Sequence, residues 1–176
     1  MKYSAPLALV CLAAGAFAGP VVERDIKIVT GVLTKVQADI DALVTTVKAF
    51  KGDVGGVISK AESLVATINS GTTLVQGSPN LELAEALQLL PAVESLRDHG
   101  GILSKELVAR RSVVQAAGQC GRTRTQIDHI VSSSSQLVAA FVSKIPQAAQ
   151  DIAHRKASEI TQVLQQAQDD FTPGKC

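Results

Sequence analysis

Residues 25–52 read DIKIVTGVLTKVQADIDALVTTVKAFKG, with apolar side chains at Ile26, Val29, Leu33, Val36, Ile40, Leu43, Val47 and Phe50. The steps between them alternate between three and four residues, so all of them fall on one face of an α-helix. A strand would alternate every second residue, and a disordered segment would show no period. Lys27, Lys35, Gln37, Asp39, Asp41 and Lys48 occupy the other faces. The apolar stripe is wide enough to require a partner.

The same logic repeats along the chain and predicts an all-α fold, an antiparallel bundle of about five helices. The first helix runs from about Val21 to Phe50 and stops at Lys51-Gly52. The second follows Asp53, a suitable N-cap, with Val57, Ile58, Ala61, Leu64, Val65 and Ile68 on one face. A turn at Gly77-Ser78-Pro79-Asn80 leads into the third. There Leu89, Val93, Leu96, Leu103, Leu107 and Val114 keep one phase across Pro91 and Gly100-Gly101. That phase predicts one long helix, kinked at Pro91 and loosened at Gly100. Gly118 to Gly121 ends it. The fourth helix spans Arg122 to Lys144, and Ile145-Pro146 breaks it from a fifth over Gln147 to Phe171.

Outside the bundle, Lys2, an apolar run from Ala5 to Ala14 and the small-x-small Ala16-Phe17-Ala18 read as a secretory signal peptide. Residues 1–18 are expected to be removed, leaving Gly19 to Cys176 as a single domain. No later segment is long and apolar enough for a transmembrane anchor, and the C-terminus signals no lipid-linked one. A secreted product follows.

Composition narrows the partners. A formal net charge of +1 with interspersed signs argues against nucleic acid. Trp is absent and the one Tyr, Tyr3, lies in the signal, so aromatic stacking platforms are missing. Asp128, His129 and Ser132 to Ser135 share one helix and lack a nucleophile elbow, so no catalytic residues are assigned. His99, His129 and His154 are scattered without metal-ligand spacing, and neither a metal nor a cofactor is expected. Arg110, Arg111, Arg122 and Arg124 bracket one interhelical turn. They could contact an anionic headgroup or an acidic wall polymer, but helix-dipole compensation and solvation account for them more simply.

Three stretches carry a family resemblance. Arg24-Asp25-Ile26 opens a helix that closes in Val47-Lys48-Ala49-Phe50-Lys51-Gly52. Leu87-Gln88-Leu89-Leu90-Pro91 opens the third segment, and Val142-Ser143-Lys144-Ile145-Pro146 precedes the last helix. In these the chain resembles the fungal hydrophobic surface-binding protein A family, to which cell-wall galactomannoproteins are similar. The resemblance implies a secreted, non-enzymatic helical protein, with adsorption to hydrophobic surfaces, a cell-wall association, or a fatty acid held inside the bundle. Gly100-Gly101 and the lack of a Ser/Thr-rich stalk depart from the family pattern and argue against permanent wall attachment.

The function expected is binding of hydrophobic surfaces, or of a long-chain lipid or fatty acid, through aliphatic helix faces. Burying each methylene is worth about 0.8 kcal/mol. The residues expected to line the lipid site are Val36, Ile40, Leu43, Leu64, Ile68, Leu90, Leu107, Ile130, Phe141 and Ile160. The alternative is a structural cell-wall mannoprotein with no small-molecule ligand. Once the signal takes Cys11 away, Cys120 and Cys176 remain. The fourth helix climbs roughly 33 Å at 1.5 Å per residue and the fifth returns as far, which brings the two together as a disulfide. A free terminal thiol or an intermolecular bridge are the rival outcomes.

Overall fold

A computed structural model describes the backbone from Val22 to Cys176 and the side chains from Ile26 onward. The expected signal peptide, with its cut after Ala18, lies outside the described residues. The helices are α1 (Val22–Lys48), α2 (Gly55–Gly77), α3 (Leu83–Gln88), α4 (Leu90–Ala116), α5 (Cys120–Lys144) and α6 (Gln150–Asp170), with a 3-10 turn at Gln147–Ala149. No strand occurs among the described residues, and no described helix is long and apolar enough to cross a membrane.

The apolar stripe of α1 is buried as its spacing requires. Val29, Leu33, Val36, Ile40, Leu43, Val47 and Phe50 all lie in the core. The N-cap of α2 is Val54, which has no capping side chain, rather than Asp53; Asp53 stands one residue ahead of it, and its Oδ1 accepts the Gly55 N–H at 2.9 Å. At the end of α4, Gly118 takes φ +65° and lets the Gln119 N–H bond to the Val114 carbonyl at 3.0 Å. That left-handed residue closes the helix end at little steric cost. Ile145 is extended, as a residue before proline must be, and stops α5.

The third segment is long, and its interruption falls just ahead of Pro91. Leu89 ends α3 and leads directly into α4, with Pro91 in the first turn of α4, where its missing N–H leaves nothing unsatisfied. Leu89 keeps helical dihedrals, φ −80° and ψ −16°, which is why the apolar phase survives the break. α4 passes through Gly100-Gly101 without interruption. At the start of α3, the Glu82 N–H donates to Glu85 Oε2 at 2.8 Å, half of a capping box.

Polar seams fix the helix directions. Ser95 Oγ donates to Gln37 Oε1 at 3.1 Å, His99 Nδ1 lies 2.5 Å from Asp41 Oδ1, and Lys48 pairs with Glu106 at 3.5 Å. Ascending numbers on α1 thus meet ascending numbers on α4, and the two helices run parallel. The pairs Glu94–Lys156 and Arg97–Glu159 make α6 parallel to α4 in the same way. α2 and α5 run the opposite way, and the end of α5 meets the chain just past α2, where the Leu81 N–H bonds the Lys144 carbonyl at 2.9 Å.

α2 packs between α1 and α5, α6 between α5 and α4, and α4 returns to α1. The five long helices therefore form a closed ring. α3 and the 3-10 turn pack together across one end. At the other end lie the α1–α2 and α4–α5 turns and the C-terminus.

Candidate functional site

Ring closure has a geometric consequence. Five helices spaced about 9.5 Å apart put each axis about 8 Å from the centre, while side chains extend a helix to a radius of only about 5–6 Å. Four helices would nearly fill their own centre. Five leave space. The structure has it as an interior cavity of about 170 Å³.

All five walls contribute. α1 supplies Leu33, Val36 and Ile40; α2 supplies Leu64 and Ile68; α4 supplies Leu90 through Leu107 along its inner face. α5 contributes Ile127 to Val142, including Ile130 and Phe141, and α6 contributes Ile152 to Ala167, including Ile160 and Val163. Ala86 and Leu87 of α3, with Ala149 of the 3-10 turn, close one end. Beyond Leu107 the ring is solid, filled by Val47, Phe50, Val54, Val114 and Phe171. Ser104, Ser134 and Lys156 are the polar residues of an otherwise apolar wall. An apolar chain that entered it would bury its methylenes against these side chains.

Of the expected lining residues, Val36, Ile40, Leu64, Ile68, Leu90, Leu107, Ile130, Phe141 and Ile160 all border the cavity. Leu43 does not. It is 2% exposed and belongs to the solid core, because the contribution of α1 to the cavity wall stops at Ile40. The inner face of α6 beyond Ile160, the α3 cap and Lys156 were not among the expected residues. The apolar spacing of Val163, Leu164 and Ala167 was the available signal for α6. Nothing in the sequence marked Lys156.

Lys156 lies at the α4–α6 seam within a cluster of charges. Its Nζ is 2.9 Å from Glu94 Oε1 and 3.4 Å from Glu159 Oε1, while Arg97 Nη1 holds Glu159 Oε2 at 2.6 Å. Bonding to Glu94 and Glu159 raises the Lys156 ammonium above its ordinary range, and bonding to Arg97 and Lys156 lowers the Glu159 carboxyl.

Three of the four clustered arginines serve helix ends. Arg110 Nη2 donates to the Lys48 carbonyl at 2.6 Å, Arg111 Nη1 to the Asp170 carbonyl at 3.3 Å and Arg124 Nε to the Phe171 carbonyl at 2.8 Å. These carbonyls lie at the C-termini of α1 and α6, so the guanidiniums compensate the dipoles of neighbouring helices. The Asp128–His129–serine grouping comes apart as well. Asp128 accepts from Gln168 Nε2 at 3.0 Å, Ser135 bonds back to the Val131 carbonyl at 2.9 Å, and Ser133 is buried.

Cys120 and Cys176 form a disulfide, with Cα atoms 5.5 Å apart, which ties the C-terminus to the start of α5. It sits at the solid end of the ring, opposite α3.

Residues 26–143 match the family described as hydrophobic surface binding protein A. The chain is 31% identical over 173 residues to cell wall mannoprotein 1 of Aspergillus fumigatus, a match covering 97% of this chain and 60% of that protein. It is 27% identical over 172 residues to cell wall mannoprotein 1 of Aspergillus flavus, covering 97% of this chain and 63% of that one. The chain thus spans less than two thirds of the length of these relatives. Among solved structures, ligand binding domain 2 of the Penicillium marneffei MP1 protein, complexed with multiple arachidonic acids, superposes with a TM-score of 0.82 at 20% identity, over 86% of this chain and 99% of that one. AFMP4P in complex with palmitic acid superposes with a TM-score of 0.78 at 18% identity, over 84% of this chain and 100% of that one. At such identities the likeness shows the shared fold.

Proposed function

The chain belongs to the hydrophobic surface binding protein A family, and from that premise we propose that it is a secreted, non-enzymatic carrier enclosing one long aliphatic chain, a fatty acid or similar lipid, inside its helix ring. The observation that carries this reading is the aliphatic cavity. Complexes of similar folds with arachidonic and palmitic acid support it. Each methylene moved from water onto this wall contributes about 0.8 kcal/mol, so affinity should come from chain length. Association costs of several kcal/mol are offset by a dozen methylenes.

Native mass spectrometry and calorimetry on protein secreted into its own medium test the reading. A co-purifying fatty acid is expected. Affinity for saturated acids should rise with carbon number until the space is filled, with a negative heat-capacity change. Binding independent of chain length, or none, would overturn it. The same mass spectrum reports whether residues 1–18 have been removed, as the secretory reading requires.

A second reading, a structural role in the cell wall, is favoured by the similarity to two cell wall mannoproteins. A ladder of hexose additions on the secreted protein without bound lipid would support it in place of the carrier. Adsorption to hydrophobic solids is a further mode the family name suggests. Leu83 and Leu87, 45% and 43% exposed on α3, offer a surface for it. Depletion from solution onto apolar beads, but not onto beads with a hydrophilic coat, is the corresponding check.

A further inference from the structure

Lys156 is the one charged residue among those lining the cavity. Its side chain is a quarter exposed, and its ammonium meets Glu94 and Glu159 at the α4–α6 seam, where Arg97 and Asp98 also gather. Three carboxylates there face two cations. Arg97 holds two of them, Asp98 at 2.8 Å and Glu159 at 2.6 Å. The third, Glu94, is paired with Lys156 at 2.9 Å, and its side chain is 47% exposed. A half-solvated ion pair of this kind is weakly held, and Glu94 needs only a rotation to return to water.

Resting on the carrier reading, we propose that Lys156 selects chains with an anionic head: the ligand carboxylate docks on Lys156 Nζ at the inner edge of the α4–α6 seam, displacing Glu94. A carboxylate among aliphatic side chains alone would suffer a large desolvation penalty, so an acid needs a cation at the rim of the cavity. Lys156 meets that need, because Glu159, 3.4 Å from its Nζ, is held more closely by Arg97 at 2.6 Å. One carboxylate replaces another, and the charge beside Lys156 is conserved. From Lys156 the apolar chain runs along Ile160 and Val163 toward Leu107.

The test compares hexadecanoic acid with hexadecanol, equal in chain length and different in head charge, at mildly alkaline pH. Wild-type protein should bind the acid about tenfold more tightly than the alcohol, as a charge-assisted bond would give. Lys156→Met, which keeps an apolar stem, should bring that ratio to about one. Glu94→Gln removes the competitor and should tighten acid binding about threefold relative to the alcohol, which serves if the Lys156 variant does not fold. Equal binding of acid and alcohol by wild-type protein, or a ratio unmoved by both substitutions, overturns the role of Lys156 and leaves the carrier standing. Binding of neither ligand overturns the carrier, and this inference with it.

Discussion

Gly71 of α2 meets Val32 of α1 so closely that a Cβ on Gly71 would stand 2.5 Å from Val32 Cγ1. That methyl belongs to a stiff, β-branched side chain that is 6% exposed, so it has little freedom to move aside. Gly71→Ala should therefore lower stability by about 1–3 kcal/mol through overpacking, although alanine has the better helix propensity. In a double-mutant cycle, Val32→Ala should recover part of that loss. Denaturant unfolding checks it, and additive effects of the two substitutions would contradict the contact.

Leu43 and Leu107 are both buried aliphatic residues, yet they do different things. Leu107 borders the cavity and Leu43 fills the solid core. Leu43→Ala should cost about 2–5 kcal/mol of stability and leave lipid affinity nearly unchanged in the protein that stays folded. Leu107→Asp should abolish lipid binding by placing a carboxylate on the apolar wall. Lys35→Ala, on an exposed face, should change neither property. Calorimetry beside thermal melts separates these outcomes.

Periodicity made α1 legible because a three-and-four spacing fixes an angular face, and that face is the buried one. It could not fix what the face meets. Ile40 and Leu43 share the stripe, and only ring geometry puts one on the cavity and the other in solid core. The same limit applies to polar residues. Gln37 and Asp41 read as solvent-facing, but the ring sets α4 parallel to α1 and brings Ser95 and His99 to meet them. The short α3 was hidden because Leu89 stays helical in its dihedrals, so the phase gave no sign of the break at Leu89. Path length favoured a Cys120–Cys176 bond over a free thiol or an intermolecular bridge, since α5 and α6 climb and return over similar spans, and the bond is present.

Acidification should loosen the α4–α6 seam. Glu159 is held below the usual carboxylate range by Arg97 and Lys156, so its contribution is present above its unfolded pKa and lost as pH falls through the lower folded value. Lys156 is raised, and its contribution is present below its unfolded pKa and lost as pH rises through the higher folded value. The pairs therefore support the fold between the carboxylate and ammonium ranges. Thermal melts from about pH 6 to about pH 3 should show a smaller acid-side decline for Glu159→Gln than for wild type. Parallel declines would show the seam to be electrostatically silent.

The disulfide should stabilise the fold without gating the cavity. Cys120 and Cys176 are 56 residues apart, and in the chain-entropy model a loop of that length stabilises the fold by about 4 kcal/mol. Replacing both cysteines by serine should bring a loss of that order, read from denaturant midpoints. The bond ties the C-terminus to the solid end of the ring, with Phe171 fully buried nearby, while the cavity extends toward α3. α3 is six residues long, and its Leu87 both lines the cavity and is 43% exposed. Passage of a chain is therefore expected at the α3 end, and the cysteine-free protein should bind lipid at an unchanged rate under conditions where it remains folded. A second bridge, engineered to fasten α3 to the 3-10 turn, should slow binding and release in oxidised protein, and its reduction should restore both. Stopped-flow measurement with a fluorescent fatty acid reads the difference. Slowing by the native bond, or indifference to the engineered one, would move the passage away from α3.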